Sequence, residues 1–368
     1  MAGRFTFHTV PERLFRHLLR PPGVGGRLGL SPSIHRTSSQ QHHTYRAAVC
    51  TELKKPLSLH DVPATELKPA EVRVSVHFCG LNFADILVCQ GLYQERPALP
   101  FTPGMEFSGC VVETGSDVTE VQKGDRVLGL GGSGMAEECV VDQKLLWKIP
   151  DELGYEEAAA LGVSYGTGIL ALQHRAATQP GETVLVTAAA GGAGLAAVDI
   201  AAHALQAKVI AAAGSAEKCA LAVQKGAFAS INYTTGNLKE ELKKITNKKG
   251  VDVVFDAVGG DVFKDALSSL SWEGRIVVVG FAGGAIPSIP ANLLLLKNIS
   301  ALGVFWGRYR DKDFPVFSQS ISKAIQLCQA GKIKPHIGAT YRLEQVNEAL
   351  HHLSQRQSVG KVVLSMKK

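Results

Sequence analysis

The rhythm of hydrophobic and polar positions changes near residue 166. From Tyr45 to about residue 165, short β-like runs at 71–77, 109–113 and 126–129 are separated by Gly, Pro and Asp turns. This is the pattern of an all-β segment. From 166 to 298, runs at 183–187, 208–212, 251–256 and 275–279 each hold three or four consecutive apolar residues and alternate with helical stretches such as 195–205. A strand without polar alternation has both faces covered, as in a parallel sheet flanked by helices. Regular strand–helix alternation predicts a doubly wound α/β domain. The tail, 299–368, has helical patterns at 313–330 and 343–355 and a last strand at 361–365. No internal repeat is visible. The simplest architecture is a β-rich domain, 45–165, completed by the tail, with the α/β domain of 166–298 inserted between the two.

Length and composition fit this picture. A chain of 368 residues exceeds one ordinary core. The 45% apolar and 20% charged content is that of a globular protein. Seven cysteines without a CxxC pair argue against a disulfide framework or a zinc ribbon and for a reducing compartment. The richest apolar run, 289–296, is far too short to span a membrane.

The net charge of +6 is unevenly placed. Residues 1–44 hold Arg4, Arg13, Arg16, Arg20, Arg27 and Arg36 against one acid, Glu12. Setting them aside leaves 33 basic and 32 acidic side chains, so the body is nearly neutral and carries no nucleic-acid footprint. An arginine-rich, acid-poor, Ser-containing start has the composition of a mitochondrial transit peptide, and a matrix location is the expectation.

The candidate chemistry begins after the run at 183–187. Ala188, Ala189, Ala190, Gly191, Gly192, Ala193 and Gly194 form a small-residue turn between that strand and a helix. Gly191 lets the backbone approach a pyrophosphate, Gly194 permits tight helix–strand packing, and the helix start offers free N–H groups. Ala189 replaces the first glycine of the GxGxxG template, so the strand–turn–helix context carries the dinucleotide reading. The next strand ends at Ala213, Gly214 and Ser215, with no acid to receive a ribose 2′-hydroxyl. The Ser215 hydroxyl and the Lys218 cation suit a 2′-phosphate, hence NADP(H); Ser215 equally suits a helix cap.

The spacing of Ala188, Gly191 and Gly194 resembles that of the quinone oxidoreductases. So do Gly80, Asn82, Phe83 and Asp85; Gln90, Gly91 and Tyr93; Pro103, Gly104, Glu106 and Gly109; and Ile231 and Tyr233. The resemblance runs from about residue 45 to the end. It implies a GroES-like catalytic domain, a Rossmann domain, NADP(H) in the cleft between them and a homodimer joined through the nucleotide domains. It places Asn82 beside the nicotinamide, Tyr93 near the acceptor and Ser164 and Thr167 along the nicotinamide edge. Ala190, Gly191, Gly192 and Ala193 then meet the pyrophosphate, and Gly214, Ser215, Lys218 and Tyr233 the 2′-phosphate. Val258 and Phe281 are expected to end parallel strands, at the carboxyl ends where cofactors of such sheets bind, and Phe305 to be a further cofactor contact. Asp85 is expected to orient its loop.

Zinc-dependent relatives look similar in the same two loops, but carry Cys where Asn82 stands and His where Met105 stands. Asn and Met are poor zinc ligands, so no metal is expected. Without a Lewis acid, an already activated acceptor fits best: a quinone or a conjugated enone. Leu87 departs from the pattern, since some quinone oxidoreductases carry tyrosine there, and this bears on acceptor choice. A mitochondrial 2-enoyl-thioester reductase and an NADPH-binding protein with little turnover are the competing readings. For the dimer, the run 298–305 offers Ile299, Leu302, Val304 and Phe305 on a candidate edge strand.

Overall fold

A computed structural model describes residues 43–367. Nearly all of the transit peptide expected at 1–44 lies outside the described residues. The first part of the chain forms β1 (Thr44–Val49), β2 (Ser58–Pro63), β3 (Glu71–Gly80), β4 (Glu106–Thr114), β5 (Arg126–Leu130), β6 (Glu138–Asp142) and β7 (Leu146–Lys148). The middle forms β8 (Thr183–Val186), β9 (Lys208–Ala213), β10 (Ala229–Asn232), β11 (Val251–Asp256), β12 (Leu270–Val278) and β13 (Ser300–Gly303). The chain closes with β14 (Ile337–Arg342) and β15 (Lys361–Ser365).

Two sheets dominate. One has seven strands, in the order β14-β15-β3-β4-β5-β7 with β6 also on β3. Both ends of the chain therefore build one layer, and β15 lies antiparallel against β3. The other sheet has six parallel strands in the order β10-β9-β8-β11-β12-β13. Counted from β8, this is the 3-2-1-4-5-6 order of a doubly wound nucleotide-binding fold. The order reverses between β8 and β11, and in a fold of this kind the ligand crevice lies at the strands' carboxyl ends at that point.

The uninterrupted apolar runs have the expected cause. On β8, Val184 and Val186 enter the core on one side of the sheet with Leu172, Phe255 and Phe317. Leu185 enters the core on the other side with Ile210, Val254 and Phe263. A third core beneath the seven-stranded sheet gathers Val74, Phe107, Val127 and Leu364.

Several sequence readings are adjusted. The helix expected at 195–205 begins at Gly192, is α-helical over Gly192–Asp199 and continues as a π-helix over Ile200–Ala204. The residue 165/166 boundary falls inside the helix Gly162–Ile169. The strand read at 275–279 begins earlier, at Leu270. Val258 and Phe281 do not end strands: they lie in the turns after β11 and β12.

At Gly194 an added Cβ would lie 2.1 Å from the Ala188 carbonyl oxygen and 2.7 Å from its carbon. Both are backbone atoms and cannot swing aside. Gly194→Ala should cost about 2 kcal/mol by forcing helix and turn apart. Gly132→Ala meets nothing within 4 Å and should be neutral within about 0.5 kcal/mol. Urea unfolding of both variants checks this; equal midpoints would contradict the packing argument.

Candidate functional site

The crevice is built from the β8 turn outward. Ala188 adopts a positive φ of 47°, and its carbonyl accepts the Gly191 N–H at 2.9 Å. The helix Gly192–Asp199 then starts with Gly191 at its cap, without a side-chain hydrogen bond there. Its first N–H groups have no intrahelical acceptor and, with the bare Cα of Gly191, suit an anionic group such as the expected pyrophosphate. The turn is held from two sides. Ala189 N–H donates to the Ala212 carbonyl at 3.1 Å. The Gly360 N–H donates to the Ala190 carbonyl at 2.7 Å. Gly360 has φ +59°, and a Cβ there would lie 2.3 Å from the His336 carbonyl oxygen. Only glycine lets the returning chain lie so close to the turn.

Across the switch point, Thr187 and Asp256 are both fully buried. The Thr187 hydroxyl donates to Asp256 Oδ1 at 2.8 Å, and the Gly259 N–H donates to Oδ2 at 3.0 Å. Burial pushes the Asp256 carboxyl up, opposed by these donors. Its task is to hold the turn that carries Val258. The Gly283 N–H reaches the Val258 carbonyl at 2.8 Å, so the turns bearing Val258 and Phe281 are joined.

At the end of β9, Ser215 caps the helix Ala216–Gln224, accepting the Lys218 N–H at 3.3 Å. Its second expected role, toward a phosphate, is compatible with this cap. The Gly214 Cβ position is 3.6 Å from the Tyr233 hydroxyl. Lys218 Nζ donates to the Arg356 carbonyl at 2.6 Å. Burial raises the Tyr233 pKa, and the nearby positive charge of Arg356 opposes the rise. Gly214, Ser215, Lys218 and Tyr233 thus stand together, and Arg356 joins them from 138 residues further along the chain. Sequence reasoning missed Arg356, because no local pattern connects it to β9. Glu217 is exposed.

A second polar cluster, around Asn82, lies where three strand ends meet. The register of β3 sets Gly80 opposite Glu106 of β4 and opposite Val363 of β15. Asn82 follows β3, Glu106 opens β4 and Lys361 opens β15, so the three converge. Lys361 Nζ donates to Asn82 Oδ1 at 2.7 Å and forms an ion pair with Glu106. Asn82 Nδ2 donates to Glu106 Oε1 at 2.9 Å. The other Glu106 oxygen accepts the Val163 N–H at 2.8 Å, at the start of the helix Gly162–Ile169. That helix presents Ser164, whose Oγ is 3.4 Å from Lys361 Nζ, and half-buried Thr167 one turn on. Glu106 was visible in the sequence without a role, and Lys361 was not singled out at all. Its only signal is a lysine opening an otherwise apolar strand.

Asp85 orients this corner. Its carboxylate accepts the Asn82 N–H at 2.8 Å and the Gly104 N–H at 3.2 Å, tying the two loops together. Burial pushes its pKa up to about 7 against those two donors and against Lys361.

Tyr93 stands apart from this cluster, at the seam with the other domain. Its ring meets Phe305 edge-on, with centroids 6.2 Å apart. Phe305 precedes Trp306, whose indole occupies the space left by Gly166 and donates to Ser320 Oγ at 3.0 Å. Burial raises the Tyr93 pKa, aided by Glu95 and Asp85 and opposed by Arg310.

Known proteins share this arrangement. A family model described as alcohol dehydrogenase GroES-like domain matches residues 68–151, and one described as zinc-binding dehydrogenase matches 192–327. A Bos taurus protein named quinone oxidoreductase-like protein 2 is 65% identical over 324 residues, covering 88% of this chain and 93% of its own. A Pseudomonas syringae quinone oxidoreductase superposes with a TM-score of 0.80 at 29% identity, covering 87% of this chain and 99% of its own. A mycobacterial protein solved in complex with NADPH gives 0.80 at 28% identity, with the same coverage. With a GroES-like β-domain, a Rossmann domain and relatives at this identity over most of its length, the chain belongs to the quinone oxidoreductase-like proteins of the medium-chain dehydrogenase/reductase superfamily and is an oxidoreductase.

Proposed function

We propose that the protein is a zinc-independent, NADPH-dependent reductase whose acceptor is a quinone or a conjugated enone. The observation that carries this reading is the crevice: a glycine turn open to a pyrophosphate, with Lys218, Tyr233 and Arg356 gathered beyond it and no carboxylate at Gly214 or Ser215. Two cations and two hydroxyls fit a 2′-phosphate, and the one carboxylate in contact with them, that of Glu217 beside the Ser215 hydroxyl, is exposed and free to turn to solvent. The structural relative with NADPH supports the same cofactor. When bound, NADPH would supply a hydride that, with one proton, converts a quinone to a hydroquinone or an enone to a saturated ketone, leaving NADP+.

The chain's own residues account for the rest. Tyr93, with its pKa raised, keeps its phenol protonated at neutral pH and can donate to charge developing on an acceptor oxygen. At the place where zinc-dependent relatives put Cys, the Asn82 amide is already engaged by an ammonium, that of Lys361. A divalent ion there would find an amide, a thioether and the Glu106 carboxylate, which Lys361 already occupies, a set that does not suit zinc. No group of three His, Cys, Asp or Glu side chains stands together as metal ligands among the described residues.

We further propose a homodimer across β13. Nothing among the described residues pairs with its outer edge. The helix Phe314–Gln329 packs on the helix Gly162–Ile169. The helix Ala291–Lys297 just before β13 leaves Leu295 77% and Leu296 67% exposed. An open edge beside bare leucines matches a two-fold interface.

Cofactor choice is tested by binding. NADPH should bind at least about tenfold more tightly than NADH, the contribution of one charge-assisted contact. Ser215→Asp keeps a good helix cap but sets a carboxylate against the 2′-phosphate, and should reverse the order. Equal affinities in the parent protein would refute the assignment.

The acceptor is tested by following NADPH oxidation with 1,4-benzoquinone, an unsaturated ketone and a trans-2-enoyl thioester, before and after treatment with a chelator. Turnover of the first two should be highest and unaffected by chelation. A preference for the thioester makes the protein an enoyl-thioester reductase, oxidation of none makes it an NADPH-binding protein, and loss on chelation overturns zinc independence.

For assembly, sedimentation at micromolar concentration should show a dimer. Leu295→Lys combined with Leu296→Lys should shift it toward monomer while leaving the unfolding midpoint within about 2 °C, because surface changes rarely move stability. A monomeric parent rules the dimer out.

A further inference from the structure

The Glu106–Lys361 pair is more than a strand lock. Lys361 is 5% exposed and Glu106 is fully buried. Desolvating two charges generally costs as much as their attraction returns, and an apolar pair of similar volume would hold three strand ends at least as well. What an apolar pair cannot do is impose direction on neighbouring polar groups. An ammonium only donates and a carboxylate only accepts. Lys361 at 2.7 Å from Asn82 Oδ1 and Glu106 Oε1 at 2.9 Å from Nδ2 therefore permit one orientation of the Asn82 amide. The second hydrogen of Nδ2 is turned toward the Gly80 carbonyl, 3.4 Å away. Both donors of Asn82 are thus used within the protein, and Asn82 offers the cleft no N–H.

Ser164 is directed in the same way. Its Oγ, 3.4 Å from the ammonium, receives from Lys361, so its own proton points elsewhere. A Cβ at Gly192 would be 3.5 Å from Ser164 Oγ and 3.6 Å from Lys361 Cδ. The cluster thus borders the first turn of the dinucleotide helix. The glutamate, lysine and amide come from the β-domain and the serine from the helix beside the crevice, so one ammonium spans the seam between the domains.

We propose that Lys361 is a positioning residue of the reduction: its ammonium, balanced by Glu106, locks the Asn82 amide and turns the Ser164 hydroxyl proton toward the nicotinamide. The proposal rests on the NADPH-reductase reading. Donation from Lys361 also strengthens Ser164 as a donor, because hydrogen bonds in a chain polarise one another.

The test separates position from stability. Lys361→Met alone leaves Glu106 buried without a counter-charge and should lower the thermal midpoint. Lys361→Met with Glu106→Gln removes both charges and should restore the midpoint to within about 3 °C. In this double variant neutral amides pair in either direction, so Asn82 and Ser164 lose their fixed polarity. NADPH Kd should stay within about threefold of the parent, whereas kcat with 1,4-benzoquinone should fall at least about tenfold, the scale of one misplaced donor. The emission of bound NADPH, which reports the nicotinamide surroundings, should change as well. That readout needs no turnover, so a parent that reduces no acceptor sinks the reductase reading while the emission still judges Lys361. Ser164→Ala, a minimal change that spares the ion pair, should reproduce both effects if the double variant fails to fold. A stable double variant with parental kcat and emission, or Ser164→Ala with neither changed, would overturn the proposal.

Discussion

The site depends on the antiparallel pairing of β15 with β3. The two strands belong to opposite ends of the chain, and their register sets Gly80 opposite Val363. This single alignment closes the β-domain around the inserted α/β domain. It also carries Gly360 onto the glycine turn, where its N–H meets the Ala190 carbonyl, and sets Lys361 beside Asn82. Because side chains alternate along a strand, a slip of one residue would send Lys361 to the opposite face of the sheet and leave Glu106 buried without its partner. The cost of that uncompensated charge makes the register self-enforcing.

The buried carboxylates near the crevice share a second task. Glu106, Asp85 and Asp256 are each almost inaccessible to solvent, and each accepts a backbone N–H from a segment other than its own regular element. A carboxylate with two oxygens can tie two loops at once, which an amide or hydroxyl does less strongly. Asp85 joins the loops after β3 and before β4, while Asp256 holds the turn after β11. Three acids in the crevice therefore serve as rivets, whereas the half-buried Tyr93 ties no loop in this way.

The two-domain architecture and most strands were legible because their causes are local. A parallel strand covered on both faces is apolar at consecutive positions, and 184–186 of β8, 209–213 of β9 and 253–255 of β11 show this. The glycine turn was legible for the same reason: Gly194 is needed by the Ala188 carbonyl, six residues away. What escaped notice depends on distant pairing. Arg356 reaches the β9 turn only through the fold, and Lys361 earns its meaning from a register that no local pattern records. Val258 and Phe281 were read as strand ends, but β11 stops at Asp256 and β12 at Val278. The stop at β11 is set by Asp256, whose carboxylate draws the Gly259 N–H back into a turn.

Recognition of cofactor and acceptor then differs in kind. The dinucleotide crevice is lined by backbone groups and by side chains fixed in capped helices and turns, so its shape is set when the sheet forms. The side proposed for the acceptor is a seam. Tyr93 meets Phe305 edge-on across it, and beside them Glu95 and Arg310 face each other at 3.4 Å, half-exposed. An exposed pair of this kind contributes no more than about 1 kcal/mol, and an edge-on ring contact is of the same order. These two contacts can part and re-form at little cost, whereas elsewhere along the seam displacing Lys361 would strand a buried charge. On the proposed reductase reading, the rigid contacts would surround the hydride donor and the yielding ones the acceptor, an arrangement that favours tight alignment of one cofactor with tolerance toward several flat, conjugated acceptors.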